Sequence, residues 1–453
     1  MKSINPTSGE VVMLYEPHSD RGAERIVSSV AKAWHSWKHV SFEQRATSML
    51  TLAGLLRNRR DELAKLITLE MGKVYYESQA EIEKCAWVCE YYAGNGEAFL
   101  MNEPVPTQYT ASYVAFKPMG VILAVMPWNF PFWQVFRAAV PALMAGNTMV
   151  LKHASNVAGC SLAIESMFRD AAFPENAFRS LLISGSQVES VIAHPAIKGI
   201  TLTGSTPAGK AVASAAGMHL KKCVLELGGS DPYLILKDAN LQMAAEVCAT
   251  SRLMNAGQSC IAAKRFIVED SVYASFTERL TQTMAEFSFG DPFKQGIAMG
   301  PLARTDLRDE LHLQVERSVG MGARLLLGGY LPDGKGAFYP ATILSDVTPG
   351  MPAYSEELFG PVAAIIKARN EKEAVEIAND TVFGLGAAVF TRDNSKGRMI
   401  AEDLLEAGCC FVNDFVKSDP RLPFGGVGES GYGRELSAYG IREFVNIKTV
   451  VVK

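Results

Sequence analysis

Four residues stand where their chemistry exceeds what packing needs. Cys260 lies in NAGQSCIAAK, a loop of small residues between a helical and a strand-like stretch. A thiol exposed there, near backbone N–H donors, has the setting of a nucleophile; the plainer reading is one small hydrophobe among eight cysteines. Glu226 lies inside VLELGG, whose neighbours require burial. Carboxylates are seldom buried without a task, and a partly desolvated one suits a general base, unless it is a strand-end side chain reaching water. Asn129 sits between two prolines in PWNFP, where a stiff backbone aims the amide as an oxyanion donor or folds it into an Asx-type turn. Lys152, in VLKHAS, ends a strand at the carboxyl edge of an expected sheet, where doubly wound folds bind ligands; otherwise it snorkels to the surface.

Two further stretches imitate phosphate-binding loops. Gly204–Ala211 reads GSTPAGKA, with the G-x-x-x-x-G-K spacing of a nucleotide hydrolase. The hydroxyl that would hold Mg²⁺ after the lysine is replaced by Ala211, and Pro207 removes a loop N–H. What survives is a helix start whose Gly204 and Ser205 let a diphosphate approach, or an ordinary βα turn. GVGESG, Gly426–Gly431, matches G-x-G-x-x-G, yet only 22 residues follow Gly431, too few for the βαβ unit a dinucleotide fingerprint needs. It reads as a glycine-rich turn.

These residues need elements to hold them. From about 21 to 100 the pattern is helical, with a capping box at Ser41 and Gln44. Strand patterns then appear in TASYVAF and GVILAVM. Strands NTMVLK, RSLLIS, KGITLTG and KKCVLELGG alternate with helical segments, as in a parallel sheet covered on both faces. A second α/β stretch begins near 228, where Tyr273, Phe276, Leu280, Met284 and Phe287 mark one helix face. Cys85 and Cys89, four apart, share a buried helical face.

The composition bounds the functions. At 453 residues, 48% hydrophobic and 20% charged, the chain suits a soluble protein of two or three domains. A net charge of -4 gives no reason to expect nucleic acid or an acidic membrane as partner. MKSINPTSGEVV has no secretory core, and prolines 127 and 131 break the greasiest run, so a cytoplasmic location is expected. Eight cysteines without a framework of spacings read as reduced thiols, and no histidine–cysteine spacing suggests a metal.

Together, PWNFP, the VLK strand, LTGST, LELGG, GQSC, EELFGPV and PFGGVGESGYGRE resemble the NAD(P)-dependent aldehyde dehydrogenases, in order and along nearly the whole chain. GGSDP and SCIAAKRF resemble the bacterial succinate-semialdehyde dehydrogenases. The resemblance implies an α/β protein of that fold: a Rossmann-like cofactor domain (1–106 and 126–227), an α/β catalytic domain (228–430) and a small β oligomerisation element (107–125 and 431–453). It implies a homodimer or homotetramer.

It also assigns roles. Cys260 attacks the aldehyde as a thiolate, Asn129 and the Cys260 N–H hold the oxyanion, Glu226 activates water against the thioester, and Lys152 and Glu435 support the catalytic set. Glu226 points to hydrolysis, because members that pass the acyl group to coenzyme A generally lack it. Met126, Pro127, Trp128, Lys152, Ser155, Gly185, Gly204, Ser205, Leu227, Glu357 and Phe359 match cofactor-binding positions. Ser155 replaces a glutamate that binds the ribose hydroxyls in NAD-preferring relatives, so NADP is expected to be accepted beside NAD. For the substrate, Arg137, Trp133, Ser259, Ser418, Arg421 and Phe424 match. Arg137 occupies the first of two arginine positions that hold a carboxylate; the second is Met254, with Arg421 or Ser418 as substitutes. Succinate semialdehyde is the expected substrate, ahead of glutarate semialdehyde or a plain aliphatic aldehyde. A lysine usual near the GVGESG turn is Gly428 here. A nucleotide hydrolase and a non-catalytic protein are the competing classes; the first is suggested by GSTPAGKA, the second is opposed by the intact Cys260, Glu226, Asn129 and Lys152.

Overall fold

The computed structural model describes residues 1–453. A six-stranded sheet runs in the order Gly431–Tyr432, Lys222–Glu226, Ile197–Thr203, Val121–Met126, Thr148–His153, Phe178–Ser180. It is parallel except at Gly431–Tyr432. The central strand VILAVM is apolar throughout because both faces are covered. Ile122 and Ala124 face helices Phe42–Asn58, Tyr75–Phe99 and Trp133–Met144, while Val121 and Leu123 face Asp20–Trp37, Val188–Ala193 and Thr206–Met218. Every residue of Trp133–Met144 is buried, so that helix is apolar all round save the polar groups it carries inward, Gln134 and Arg137.

The second sheet has seven strands: Arg324–Leu327, Thr342–Ser345, Val362–Ala368, Arg265–Glu269, Pro232–Ile235, Gly386–Phe390, Cys409–Val412. It is parallel except for the first pair. A third, antiparallel sheet joins Val445–Val452 to Ala111–Pro118 and then to Glu103–Pro104.

Most expected elements are present. Ser41 caps Phe42–Asn58 with the reciprocal Gln44 bond, Cys85 and Cys89 are buried, and Phe276, Leu280 and Met284 bury one face of Asp270–Ala285. Three boundaries need correction. Val121–Met126 lies in the middle of the six-stranded sheet, so an oligomerisation element of 107–125 cuts through a core strand. Gly431–Tyr432 pairs with Leu225 and Glu226 in the same sheet, leaving only the chain from Val445 with Ala111–Pro118. A turn at Gly120 divides two strands that read alike, and the short helix Ser437–Arg442 with a turn at Phe444 precedes Val445, so composition marks neither boundary. The expected strand RSLLIS also stops early, at Ser180, because the Leu182 carbonyl accepts a bond from the His18 N–H instead of continuing the ladder.

Candidate active site

Two cavities meet at one side chain. A cavity of about 280 Å³ is lined by 13 residues, among them Pro127, Trp128, Asn129, Gly204, Ser205, Glu357 and Phe359. A larger one, about 470 Å³, is lined by 24, among them Lys84, Trp133, Arg137, Ser259, Ser418 and Phe424. Cys260 is the one residue common to both linings.

The smaller cavity opens at the carboxyl edge of the six-stranded sheet, the ligand edge of doubly wound folds. Ser205 caps Thr206–Met218 in extended conformation but gives its hydroxyl to no helix N–H, so hydroxyl and helix start both remain open to an anion. Rings of Trp128 and Phe359 meet edge-on across the opening, 5.8 Å between centroids. Lys152 pairs in register with Val125 on the next strand; burial alone lowers its pKa, with no carboxylate beside it. Ser155 and Gly185 are exposed, one turn past neighbouring strand ends. These groups suit a dinucleotide: an open helix start for phosphate, an unpaired lysine and aromatic walls for flat rings. Met126 and Leu227 contribute no side chain to the lining; Met126 offers its carbonyl to His153 Nδ1 at 3.2 Å, and Leu227 packs below Gly209. A Cβ at 209 would sit 2.4 Å from the Leu227 side chain, which would have to move to admit it.

GSTPAGKA and GVGESG turn out to be neighbours. Lys210 Nζ donates to the Glu429 carboxylate at 2.7 Å, so the lysine that a P-loop aims at phosphate is held by a surface carboxylate of the second motif. GVGESG takes part in two ladders: Val427–Gly428 pairs with Phe383–Gly384 in a two-stranded sheet of their own, and Gly431–Tyr432 pairs with the strand of Glu226. Gly428 has φ +60°, and a Cβ there would approach the Val382 carbonyl to 2.6 Å, a reason for glycine where a lysine is usual.

The cysteine loop is held in a strained form. Asn255, Ala256 and Gly257 are successive left-handed residues, φ 54°, 51° and 74°, a conformation L-residues avoid unless their surroundings impose it. The surroundings are visible. The Asn255 amide donates to the carbonyls of Asn129 (2.8 Å) and Gln258 (3.1 Å), and a Cβ at Gly257 would sit 2.4 Å from the Gly360 backbone. Lys264, fully buried, donates to the carbonyls of Ser259 (3.1 Å) and Cys260 (2.7 Å) and stands 3.4 Å from Glu357. Asn129 Nδ2 donates to the Gln258 carbonyl at 3.1 Å. Thus Asn129 is bonded through Asn255 and Gln258 to the loop that carries Cys260.

Behind the thiol lies a buried charge cluster. Glu226 ends its strand with neither carboxylate oxygen hydrogen-bonded. Burial pushes its pKa well up, Arg137 opposes this and Glu435 adds to it. Glu435 is likewise pushed up by burial, against its ion pair with Arg137 and the Thr201 hydroxyl at 3.3 Å. Burial also raises the Cys260 thiol to about 12, with Arg137 and Lys264 lowering it and Glu357 and Glu226 raising it. Forming the attacking thiolate therefore works against burial and with the two cations. Glu226 lines neither cavity, yet it is close enough to act on the thiol's ionisation.

On the substrate side two expectations change. Arg421 is 67% exposed and forks onto Asp419 at 2.9 and 2.6 Å; it lines no part of the cavity, because Asp419, two residues away, captures it. Arg137 does border the cavity, but its Nε is paired with Glu435 and its Nη2 donates to Thr203 at 3.3 Å. Ser418, Ser259, Trp133 and Phe424 are in place. Missed were Glu77, Glu81 and Lys84, which enter from Tyr75–Phe99. Their spacing of four and three residues puts them on one helix face, a polar stripe bordered by Cys85, Cys89 and Ile82 that the sequence does display.

Comparison with known proteins decides the family. The aldehyde dehydrogenase family matches residues 1–450. The chain belongs to the aldehyde dehydrogenase family. It is 48% identical over 448 residues to a probable NADP(+) succinate-semialdehyde dehydrogenase of Synechocystis sp., covering 99% of this chain and 98% of that one. It is 45% identical to the succinate semialdehyde dehydrogenase Sad of Escherichia coli, described as using NAD(P)+, covering 99% and 97%. Among solved structures, the succinic semialdehyde dehydrogenase of Streptococcus pyogenes with NADP+ superimposes with a TM-score of 0.97 at 37% identity, covering 100% and 99%.

Proposed function

We propose that this aldehyde dehydrogenase oxidises succinate semialdehyde to succinate, with NADP+ preferred and NAD+ accepted. The observation that carries it is the position of Cys260, sole shared wall of a cavity suited to a dinucleotide and a second that holds cationic and hydroxyl groups. Relatives described as succinate-semialdehyde dehydrogenases with NADP(+) support the choice of substrate and cofactor.

Cys260 Sγ adds to the aldehyde carbon as a thiolate, its proton going to solvent and the neighbouring Arg137 and Lys264 favouring the anion. Asn129 Nδ2 and the Cys260 N–H hold the resulting oxyanion; for this the amide exchanges its bond to the Gln258 carbonyl. A nicotinamide held in the smaller cavity would supply the acceptor for the hydride of that carbon. A thioester remains on Cys260. Glu226 takes a proton from water, which attacks the acyl carbon, and the thiol departs with a proton. The sum is aldehyde, NADP+ and water giving carboxylate, NADPH and two protons. Lys152 and Glu357 would hold the riboses, Trp128 and Phe359 would wall the rings, and Ser205 would receive the diphosphate. Ser155, neutral and exposed, leaves room for a 2′-phosphate that a carboxylate there would repel.

Homo-oligomerisation through Val445–Val452 follows from its free outer edge, on which Ile447 is 63% exposed. No helix is long and apolar enough to cross a membrane, and eight free thiols support a cytoplasmic location. The test is initial rates of NAD(P)H formation with succinate semialdehyde and with butanal, each with NADP+ and NAD+. A preference for the acid aldehyde of about a hundredfold in kcat/KM, near 3 kcal/mol, is expected. Equal use of both aldehydes would overturn the substrate assignment.

A further inference from the structure

The larger cavity contains a cation without a counter-ion. Lys84 Nζ donates to the Ser418 hydroxyl at 2.8 Å and stands 4.4 Å from the centre of the Trp133 ring. No carboxylate pairs with it, because each one nearby is committed elsewhere. Glu81, on the same helix, is held by Lys73 and by the N–H groups of Phe132 and Trp133. Asp419 is forked by Arg421. Glu77 receives the Asn255 N–H at 3.1 Å. Across the cavity, Lys417 is bound to Asp414 and Arg137 to Glu435. A half-buried ammonium facing an apolar wall gains most from an anion delivered into the cavity.

We propose that Lys84, with the Ser418 hydroxyl, is the anchor for the distal carboxylate of the substrate, in place of the arginine that Met254 replaces. The inference rests on the succinate semialdehyde reading above. It places the carboxylate and the aldehyde at opposite ends of one cavity, between Lys84 and Cys260, with the Trp133 ring beside the anchor. Lys84 would then decide which aldehydes are used, and Arg137 would serve the buried carboxylates behind the thiol.

The ammonium gives the preference a pH signature. Burial, then Arg137, lowers the Lys84 pKa to about 8, opposed by Cys85, Asp419 and Glu81. The charged form exists below that value, so preference for the acid aldehyde is full at lower pH and fades as pH rises through about 8. Glu77, raised to about 7 by burial, brings a negative charge to the same cavity on the way, and contributes an earlier, separate fall. Titration of Cys260 and Glu226 affects both aldehydes and cancels in the ratio.

The experiment compares kcat/KM for succinate semialdehyde and butanal with NADP+, across pH, in the wild type, Lys84→Met, Lys84→Arg and Ser418→Ala. The expected result is that Lys84→Met cuts the preference by about 30-fold or more, mainly through KM, and removes the fall near pH 8. Lys84→Arg should keep most of the preference, and Ser418→Ala should reduce it by a few-fold. If Lys84→Met shows no measurable turnover with either aldehyde, the arginine and serine variants decide: an unchanged ratio in Ser418→Ala and a ratio lost in Lys84→Arg would overturn the anchor. A wild type that prefers the acid aldehyde, with Lys84→Met retaining that preference, refutes the anchor and leaves the substrate reading standing. A wild type with no preference refutes the substrate reading, and the anchor with it.

Discussion

The two cavities that share Cys260 are built differently. The smaller takes one wall from strand ends and a helix start of the six-stranded sheet, and the facing wall from helix Thr305–Gly320 and the Glu357–Phe359 segment. The larger takes its walls from side chains of helices Tyr75–Phe99 and Trp133–Met144 and from loops near 254–262 and 415–424. The first rests in part on sheet topology, the second on individual side chains throughout. Cofactor chemistry should therefore tolerate changes in the larger cavity, and substrate choice should tolerate changes in the smaller, while the shared wall tolerates none.

The largest effect is expected at that wall. Cys260→Ser should lower kcat by at least about 10⁴-fold with either aldehyde, leaving NADP+ binding by fluorescence titration intact; retained turnover would separate the two cavities. Next, Gly257→Ala forces a left-handed alanine whose Cβ meets the Gly360 backbone at 2.4 Å. It should cost about 3 kcal/mol in thermal or urea unfolding and depress both substrates together. Ser155→Glu belongs to one side alone. It should raise KM for NADP+ by about 30-fold and change KM for NAD+ little, without altering the preference between aldehydes. The smallest effect is at Lys210, whose pair with Glu429 is 64% and 40% exposed. Lys210→Ala should change stability by no more than about 0.5 kcal/mol and leave turnover unchanged; a marked loss of NADP+ binding would revive a phosphate role for that lysine.

The same contrast explains what was legible in the sequence. Val121–Met126, Ile197–Thr203 and Lys222–Glu226 were readable because buried parallel strands are apolar along their length, and Cys260, Glu226 and Asn129 because each interrupts such a context with chemistry. Boundaries at 125 and 431 were not, since a strand entering the core and one leaving it look alike. Nor could spacing reveal that Asp419 would capture Arg421, or that Glu435 would occupy Arg137: both depend on contacts between segments hundreds of residues apart or on a turn's local geometry. Lys84 was hidden differently. Its helix reads as a core helix with a polar stripe, and only the assembled cavity shows that the stripe faces a ligand site rather than solvent.

The most direct test of the account is to look for the acyl group on the shared wall. Enzyme carrying Glu226→Gln is mixed with succinate semialdehyde and NADP+, quenched in acid and digested, and its peptides are weighed. A burst of NADPH equal to the enzyme present, with a succinyl group on the peptide of Cys260 and on no other cysteine, is the predicted result. A burst without that adduct, or an adduct on another cysteine, would contradict the placing of the chemistry at Cys260.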